Sequence, residues 1–271
     1  MKKLAILIVL LTLSFHVIAI NPVREYSVKP EQLGLKYQAK KIKVNSTVEL
    51  NSWIFLQDNK SKPFIIVSNS DAGNMSNCLG QASEFFKAGY NVILYDYRGF
   101  GESSDFEINR NMMYYEEFVE DLRTVLLFVR KVYAPKKVVL YGLSMGTIVS
   151  KSVMNRDTSI NGAILDSFVI DPTLVVNRIL QIKNKHVLLP NVAHEYSESN
   201  KKPSSIPILL FSGLKDIVTK STDYSEFINL NAKSRLVTWD CNHLECFYKM
   251  TKDTDSDLYM SEVITYINSL K

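Results

Sequence analysis

The sequence predicts a single α/β domain built on a mostly parallel β-sheet, and three observations carry this. Short, continuous apolar runs alternate with stretches of helical periodicity, the pattern of strands covered on both faces by helices. The chain has 271 residues, 46% of them hydrophobic, which is enough to fill one core of that kind. No internal repeat, low-complexity linker or Gly/Pro-rich stretch divides it, with only 10 Gly and 8 Pro.

The elements follow in order. "YQAKKIKV" (37–44) and "VELNSWIFL" (48–56) read as an opening antiparallel pair, and "PFIIVSN" (63–69) as a buried strand. "SNCLGQASEFFKAGY" (76–90) is helical, with Gly89 as its stop. "NVILYDY" (91–97) is the next strand. A long helix is predicted from about Met112 to Tyr133, because Phe118, Leu122, Val125, Leu126 and Val129 recur at three and four residues and Pro135 ends the pattern. "KKVVLYG" (136–142) is again an apolar strand, running into a helix from Ser144 to about Asn155. "INGAILDSF" (160–168), "IPILLFSG" (206–213) and "SRLVTWD" (234–240) complete the strands, and helical patterns lie near 219–230 and 256–270. Residues 169–205 break the rhythm. They hold no strand, carry amphipathic apolar residues such as Leu174, Ile179 and Val187, and include two of the four histidines. An insertion of this length between sheet strands reads as a lid or cap, against the alternative of plain helical decoration.

The N-terminus has the layout of a secretory signal. Lys2 and Lys3 precede an apolar run from Leu4 to Phe15, and Val17-x-Ala19 supplies small residues for cleavage after Ala19. This reading makes the protein periplasmic or secreted. The alternative is an uncleaved anchor, the only case in which the chain would meet a membrane, since residues 4–20 are near the lower limit for spanning one. No cysteine at the boundary supports a lipoprotein signal. Without Lys2 and Lys3, 30 of the 32 basic residues face 28 acidic ones, so the remaining chain has no electrostatic footprint for nucleic acid. Export would permit one disulfide among Cys78, Cys241 and Cys246, either locally between the last two or from one of them to Cys78. The alternative is three reduced core cysteines.

The chemistry starts at Gly142-Leu143-Ser144-Met145-Gly146, where a strand turns into a helix. Such a turn holds the serine in a strained conformation with its hydroxyl above the sheet, and glycines two residues to either side leave room for the neighbouring strand and helix. A serine hydroxyl needs a base, and the base needs a carboxylate to orient it. Both should follow in chain order at the ends of later strands. Asp216 follows Gly213 after one apolar strand, and His243 follows the next. His16 lies in the leader, and His186 and His194 in the insertion. Asp240 and Glu245 are too close to His243 in sequence to reach its far nitrogen. Asp166, ending "GAILD", is the more serious rival acid, and Asp216 is preferred for its Gly-x-x-Asp setting.

With these residues in place, the chain resembles the α/β-hydrolase superfamily, most of all its bacterial branch of small esterases and serine-aminopeptidase-like or monoacylglycerol-lipase-like hydrolases. The likeness covers roughly residues 40 to 270, and "DYRGFGES" (96–103) matches that branch's Asp-x-Arg-Gly-x-Gly-x-Ser segment, read here as a structural turn. The resemblance implies an α/β-hydrolase fold: an eight-stranded, mostly parallel sheet with helices on both faces and a short helical cap after strand six, where 169–205 falls. It implies Ser144, His243 and Asp216 as the catalytic triad, no cofactor, and an oxyanion hole made by the backbone N–H groups of Met145 and Asp71.

Two departures stand out. The loop "NSDAGN" (69–74) keeps Ala72-Gly73-Asn74 but has Asn69-Ser70 where the family usually has His-Gly. A serine at 70 requires a backbone without positive φ there, and the Asp71 carboxylate must point away from a developing oxyanion. Asn242 stands before the histidine, where the family commonly has Gly.

Metal motifs fail on inspection. "DTDSD" (253–257) lacks the glycine and glutamate of a calcium loop and reads as a helix-capping turn, and no His/Cys spacing supports zinc. The expectation is therefore a serine hydrolase acting on a small-molecule or acyl ester, with the apolar insertion leaning toward an acyl or lipid-like group. A peptidase or thioesterase with the same triad, and a non-catalytic binding protein of the same fold, are the competing readings.

Overall fold

In a computed structural model of the chain, the described residues are 19–59, 61–113, 116–252 and 257–271. Apart from Ala19, the expected signal or anchor lies outside them. Among the described residues, no helix is long and apolar enough to cross a membrane.

The strands are β1 (Asn21–Pro22), β2 (Gln38–Lys43), β3 (Glu49–Phe55), β4 (Phe64–Ser68), β5 (Ala72–Gly73), β6 (Asn91–Tyr95), β7 (Val138–Leu143), β8 (Gly162–Asp166), β9 (Ile208–Gly213) and β10 (Arg235–Trp239). The helices are α1 (Leu79–Lys87), α2 (Glu116–Tyr133), α3 (Met145–Arg156), α4 (Pro172–Lys183), α5 (Ala193–Lys201), α6 (Ser225–Leu230), α7 (Cys246–Lys252) and α8 (Leu258–Ser269). One eight-stranded sheet runs in the order β10-β9-β8-β7-β4-β6-β3-β2. β3 is antiparallel to β2 and to β6, and the remaining pairs are parallel. This is the expected α/β-hydrolase sheet, with its antiparallel pair at one edge.

The continuous apolar strands feed two cores, one on each face. Ile54, Ile66, Ile93 and Leu140 pack with Phe118, Leu122 and Val125 of α2 and Ile148 and Val149 of α3. Their neighbours Phe55, Ile65, Leu94 and Tyr141 point the other way, into a cluster with Phe85 of α1 and Tyr259 and Val263 of α8. Alternate side chains of a strand point to opposite faces, so a strand buried on both sides must be apolar throughout.

The insertion at 169–205 leaves after β8, the sixth strand of the large sheet, and carries α4 and α5. Asp171 starts α4 by accepting from the N–H groups of Thr173 and Leu174, at 3.0 and 3.2 Å, ahead of Pro172. Asn184, left-handed at φ 49°, ends it. Ser197 and Lys201 of α5 return to the Asp171 carboxylate at 2.8 and 2.9 Å, tying the two helices together.

Four elements differ from expectation. α2 begins at Glu116 rather than near Met112, because Met113 N–H donates to Leu188 O at 3.0 Å and Leu188 N–H to Asn111 O at 2.7 Å, pinning 111–113 to the insertion through a bridge at Met112. The short parallel pair β1–β5 and the two-turn α7 have no periodic signature in the sequence.

Candidate active site

Ser144 stands between β7 and α3 with φ 47° and ψ −113°, a conformation that costs on the order of 1–3 kcal/mol for a non-glycine residue. Its flanking glycines are required by close contact. A Cβ on Gly142 would lie 2.6 Å from Gly146 O, and one on Gly146 would lie 2.2 Å from Ser68 O. The elbow is held by Ser144 N–H donating to Asp166 O at 3.0 Å and by Thr147, whose N–H and hydroxyl both donate to Ser144 O.

The other two residues arrive on the loops after β9 and β10. His243 Nε2 is 3.0 Å from Ser144 Oγ, and His243 Nδ1 is 2.8 Å from Asp216 Oδ2. Asp216 also accepts from the N–H groups of Val218 and Thr219 at 2.8 and 2.9 Å and from the Thr219 hydroxyl at 2.6 Å. Burial alone would raise this carboxyl, but the His243 and Thr219 hydrogen bonds outweigh it and hold Asp216 below the ordinary carboxylate value. The acid therefore stays ionised, able to orient the imidazole and to balance a charge on it. Gly213 explains the Gly-x-x-Asp setting: a Cβ there would lie 2.3 Å from Cys241 O, so only glycine lets the acid loop and the histidine loop touch. Ser167 and Leu244 add strain at the same place, with φ 57° and 61°, joined by a 3.0 Å bond from Leu244 N–H to Ser167 Oγ.

The rival carboxylates are engaged elsewhere. Asp240 pairs with Lys215, and Glu245 accepts from Asn242. Asp166 is fully buried and accepts from Tyr259 and Ser167. Burial pushes its carboxyl up to about 7, the Tyr259 and Ser167 hydrogen bonds offsetting only part of the rise. A carboxyl raised in the folded state stabilises the fold fully below its unfolded value, and that contribution is lost as pH climbs through the folded one. Asp166→Asn removes the loss. Its melting temperature should gain on wild type by about 5 °C between about pH 4 and about pH 8, measured by calorimetry. Ester turnover should stay within a few-fold, and a collapse in turnover would make Asp166 the acid instead.

The loop 69–74 lies across from the elbow. Ser70 is not among the non-glycine residues with positive φ, while Gly73 is left-handed at φ 79°. Replacing the family's His-Gly by Asn69-Ser70 therefore needs no strained backbone at 70. Asn69 rebuilds the loop with its side chain, donating to Ala72 O and Asn74 O at 3.2 and 3.0 Å. Met145 begins α3, where the first N–H groups have no partner inside the helix, and Asp71 stands in the same pocket as Ser144. Burial raises the Asp71 carboxyl, with its own amide and the charges of His243, Lys183 and Lys185 acting in the opposite sense.

Sequence reasoning missed what holds this loop. Residues 19–26 run alongside it as a strap. Asn21 N–H donates to Asp71 O at 2.8 Å and Val23 N–H to Gly73 O at 2.9 Å. Asn74 Nδ2 donates back to Val23 O and Glu25 O at 3.0 and 2.7 Å. Tyr26 donates to Asp96 Oδ2 at 2.5 Å, and Asp96 Oδ1 accepts from Met75 N–H just beyond the loop. Asp96 and Arg98 belong to the "DYRGFGES" segment, whose role is structural: Arg98 is buried against Asp121 at 2.6 Å and Glu120 at 2.7 Å. Asn74 is the one side chain of the loop that bonds to the strap, and a lone asparagine in a loop carries no signal for it in the sequence.

The pocket above Ser144 and His243 has a volume of about 150 Å³ and is walled by Ala19, Met113, Ile179, Val187 and Val218, with Asp71, Lys183 and Lys185. Neither His186 nor His194 lines it. Behind the site, all three cysteines are buried and free. The structure brings Cys241 and Cys246 to 3.1 Å between sulfurs, flanking His243, while Cys78 turns its thiol to Asn69 Oδ1 at 3.3 Å. Asp257, the one described residue of the acidic 253–257 run, caps α8 by accepting from Met260 N–H. Among the described residues, no cluster of His, Cys, Asp and Glu could hold a metal ion.

The family model for serine aminopeptidase, S33, matches residues 65–205, more than half the chain. The chain belongs to this hydrolase family. Within curated relatives, this S33 family member is 27% identical over 213 residues to the uncharacterized protein YfhR of Escherichia coli, covering 76% of this chain and 70% of that one. It is 24% identical over 203 residues to protein bem46 of Schizosaccharomyces pombe, covering 71% and 65%. Neither name states an activity. Among solved structures, the esterase Pf2001 of Pyrococcus furiosus superposes with a TM-score of 0.73 over 92% of this chain and 99% of that one, at 20% identity. Est1E of Butyrivibrio proteoclasticus, solved with ferulic acid bound, superposes with a TM-score of 0.66 over 84% and 100%, at 17% identity. At these identities the S33 protein shares their fold.

Proposed function

We propose that this S33 family hydrolase cleaves carboxylic esters through Ser144, His243 and Asp216 by way of an acyl-enzyme. The observation that carries the reading is the unbroken chain from Ser144 Oγ to His243 Nε2 at 3.0 Å and from His243 Nδ1 to Asp216 Oδ2 at 2.8 Å. As Ser144 Oγ attacks the ester carbonyl, His243 takes its proton, and Asp216 compensates the imidazolium. The oxyanion forms against the Met145 and Asp71 N–H groups. His243 then protonates the leaving alcohol, water attacks the acyl-enzyme through the same base, and the acid departs. Esters are favoured by the apolar walls and by the fold shared with two esterases. A peptidase is the second reading, motivated by the family's name. The charged and apolar N-terminal pattern is the basis for placing the protein outside the cytoplasm, as a cleaved or an anchored form.

The test is labelling by a fluorophosphonate probe together with turnover of p-nitrophenyl esters from acetate to palmitate and of a peptide p-nitroanilide. Labelling located at Ser144 by peptide mass spectrometry, with esters cleaved at least about tenfold faster than the anilide, is expected. Absence of labelling would leave a binding protein, and faster anilide cleavage a peptidase.

A further inference from the structure

The wall of the pocket opposite the catalytic serine is charged, and the catalytic chemistry does not use that charge. α4 ends at Lys183, and left-handed Asn184 turns the chain into an extended stretch pinned at Leu188 to residues 111–113. Along that stretch, side chains alternate. Lys185, Val187 and Leu189 are half-buried, while His186 and Leu188 face solvent. The pinned register therefore puts Lys185 and Val187 into the pocket with Lys183, beside Ile179 and above Ser144 and His243. Neither lysine is held by an acidic side chain among the described residues, unlike Lys201 and Lys215, which are paired with Asp171 and Asp240. The one carboxyl lining the pocket is Asp71. It is a single acid facing two ammonium groups, and the other nearby carboxylate, Asp216, lies behind His243 and is engaged by it and by Thr219, so at the pocket wall itself cations outnumber anions.

Building on the ester-hydrolase reading, we propose that Lys183 and Lys185 form an anion subsite, and that the preferred substrate is an ester whose non-reacting end carries an anionic group such as a carboxylate. The physical basis is that cations at the wall of a narrow cleft with apolar surroundings focus the field on the bound molecule and raise the local concentration of anions. The apolar residues Ile179, Val187 and Val218 would cover the methylene chain between the two ends.

The test uses the p-nitrophenyl monoester of adipic acid, which is anionic, against the neutral hexanoate of matched length. Wild type should favour the adipate ester in kcat/KM by about tenfold at low salt, with the preference shrinking as salt screens it. In the double variant Lys183→Glu, Lys185→Glu the adipate-to-hexanoate ratio should fall below one. A ratio near one in wild type, or one unmoved by charge reversal, overturns the subsite, as when the lysines serve only to balance Asp71. A second arm needs no turnover: Ser144→Ala protein should bind monomethyl adipate in calorimetry, and Ser144→Ala with both lysine reversals should not. Charge-dependent binding without hydrolysis would overturn the hydrolase reading and keep the subsite, whereas hydrolysis without charge preference would do the reverse.

Discussion

Replacing Ser144 by alanine is expected to lower kcat for a p-nitrophenyl ester by about 10⁴-fold or more, with KM changed little. The change removes one oxygen, whose one hydrogen bond to a side chain goes to His243 Nε2. That nitrogen is an acceptor on a histidine that lines the open pocket, so no enclosed polar group is stranded and the fold should survive. The hydroxyl makes no contribution to the elbow's own geometry, which is held by the Ser144 backbone and by Thr147. Alanine must adopt the same φ of 47° and inherits the strain. Glycine does not, so Ser144→Gly should be equally inactive yet melt higher than Ser144→Ala, by an amount reflecting about 1 kcal/mol. This pairing separates loss of the Ser144 hydroxyl from loss of structure: two equally inactive variants of different stability. Retention of more than a tenth of wild-type kcat in Ser144→Ala would mean that hydrolysis, if present, runs through another group.

The sheet and the set Ser144, Asp216 and His243 are legible in the sequence because their requirements are local. Continuous apolar runs mark strands buried on both faces, and glycines at 142 and 146 mark where strand and helix close to within contact. Asp216 and His243 are legible by order, each just past an apolar run. Gly213 is visible as part of a pattern, while the physical reason for it, the approach of Cys241 O, is a contact across 28 residues of chain that no window contains. Positive φ at Ser167 and Leu244 has no glycine to announce it, so the strain beside His243 is silent in the sequence. The late start of the long helix, beyond 112–113, is likewise set by a partner, Leu188, some seventy residues away. The strap is the largest omission. β1 and β5 are two residues each, too short for any periodicity, and they exist because Asn21, Val23 and Asn74 find one another across fifty residues.

The strap carries the second large effect. A chain beginning at Glu25 lacks β1, and the carbonyls of Asp71 and Gly73 lose the N–H groups of Asn21 and Val23. Asn74 Nδ2 loses one of its two acceptors, Val23 O. In the proposed mechanism the Asp71 N–H is an oxyanion donor, and it would then be free to move by the fraction of an ångström that separates a useful donor from a poor one. The expected result is a fall in kcat of about 10²–10³-fold, the range for losing one such donor, with a smaller change in KM, because the interaction is made in the transition state. The truncation also removes Ile20, which is wholly buried in the core on the α2 and α3 face, so stability must be separated from positioning. Two point variants do this. Ile20→Ala keeps every strap hydrogen bond and leaves a cavity, and it should cost about 2–5 kcal/mol of stability with kcat within a few-fold. Asn21→Pro keeps the core side chain and deletes the one N–H that reaches Asp71 O, and it should lower kcat by more than tenfold at a small cost in melting temperature. If kcat instead tracks melting temperature across all three variants, the strap is scaffolding alone. If kcat follows the hydrogen bonds and not the core, the residues immediately after the expected leader are part of the machinery that replaces the family's His-Gly in holding the oxyanion loop.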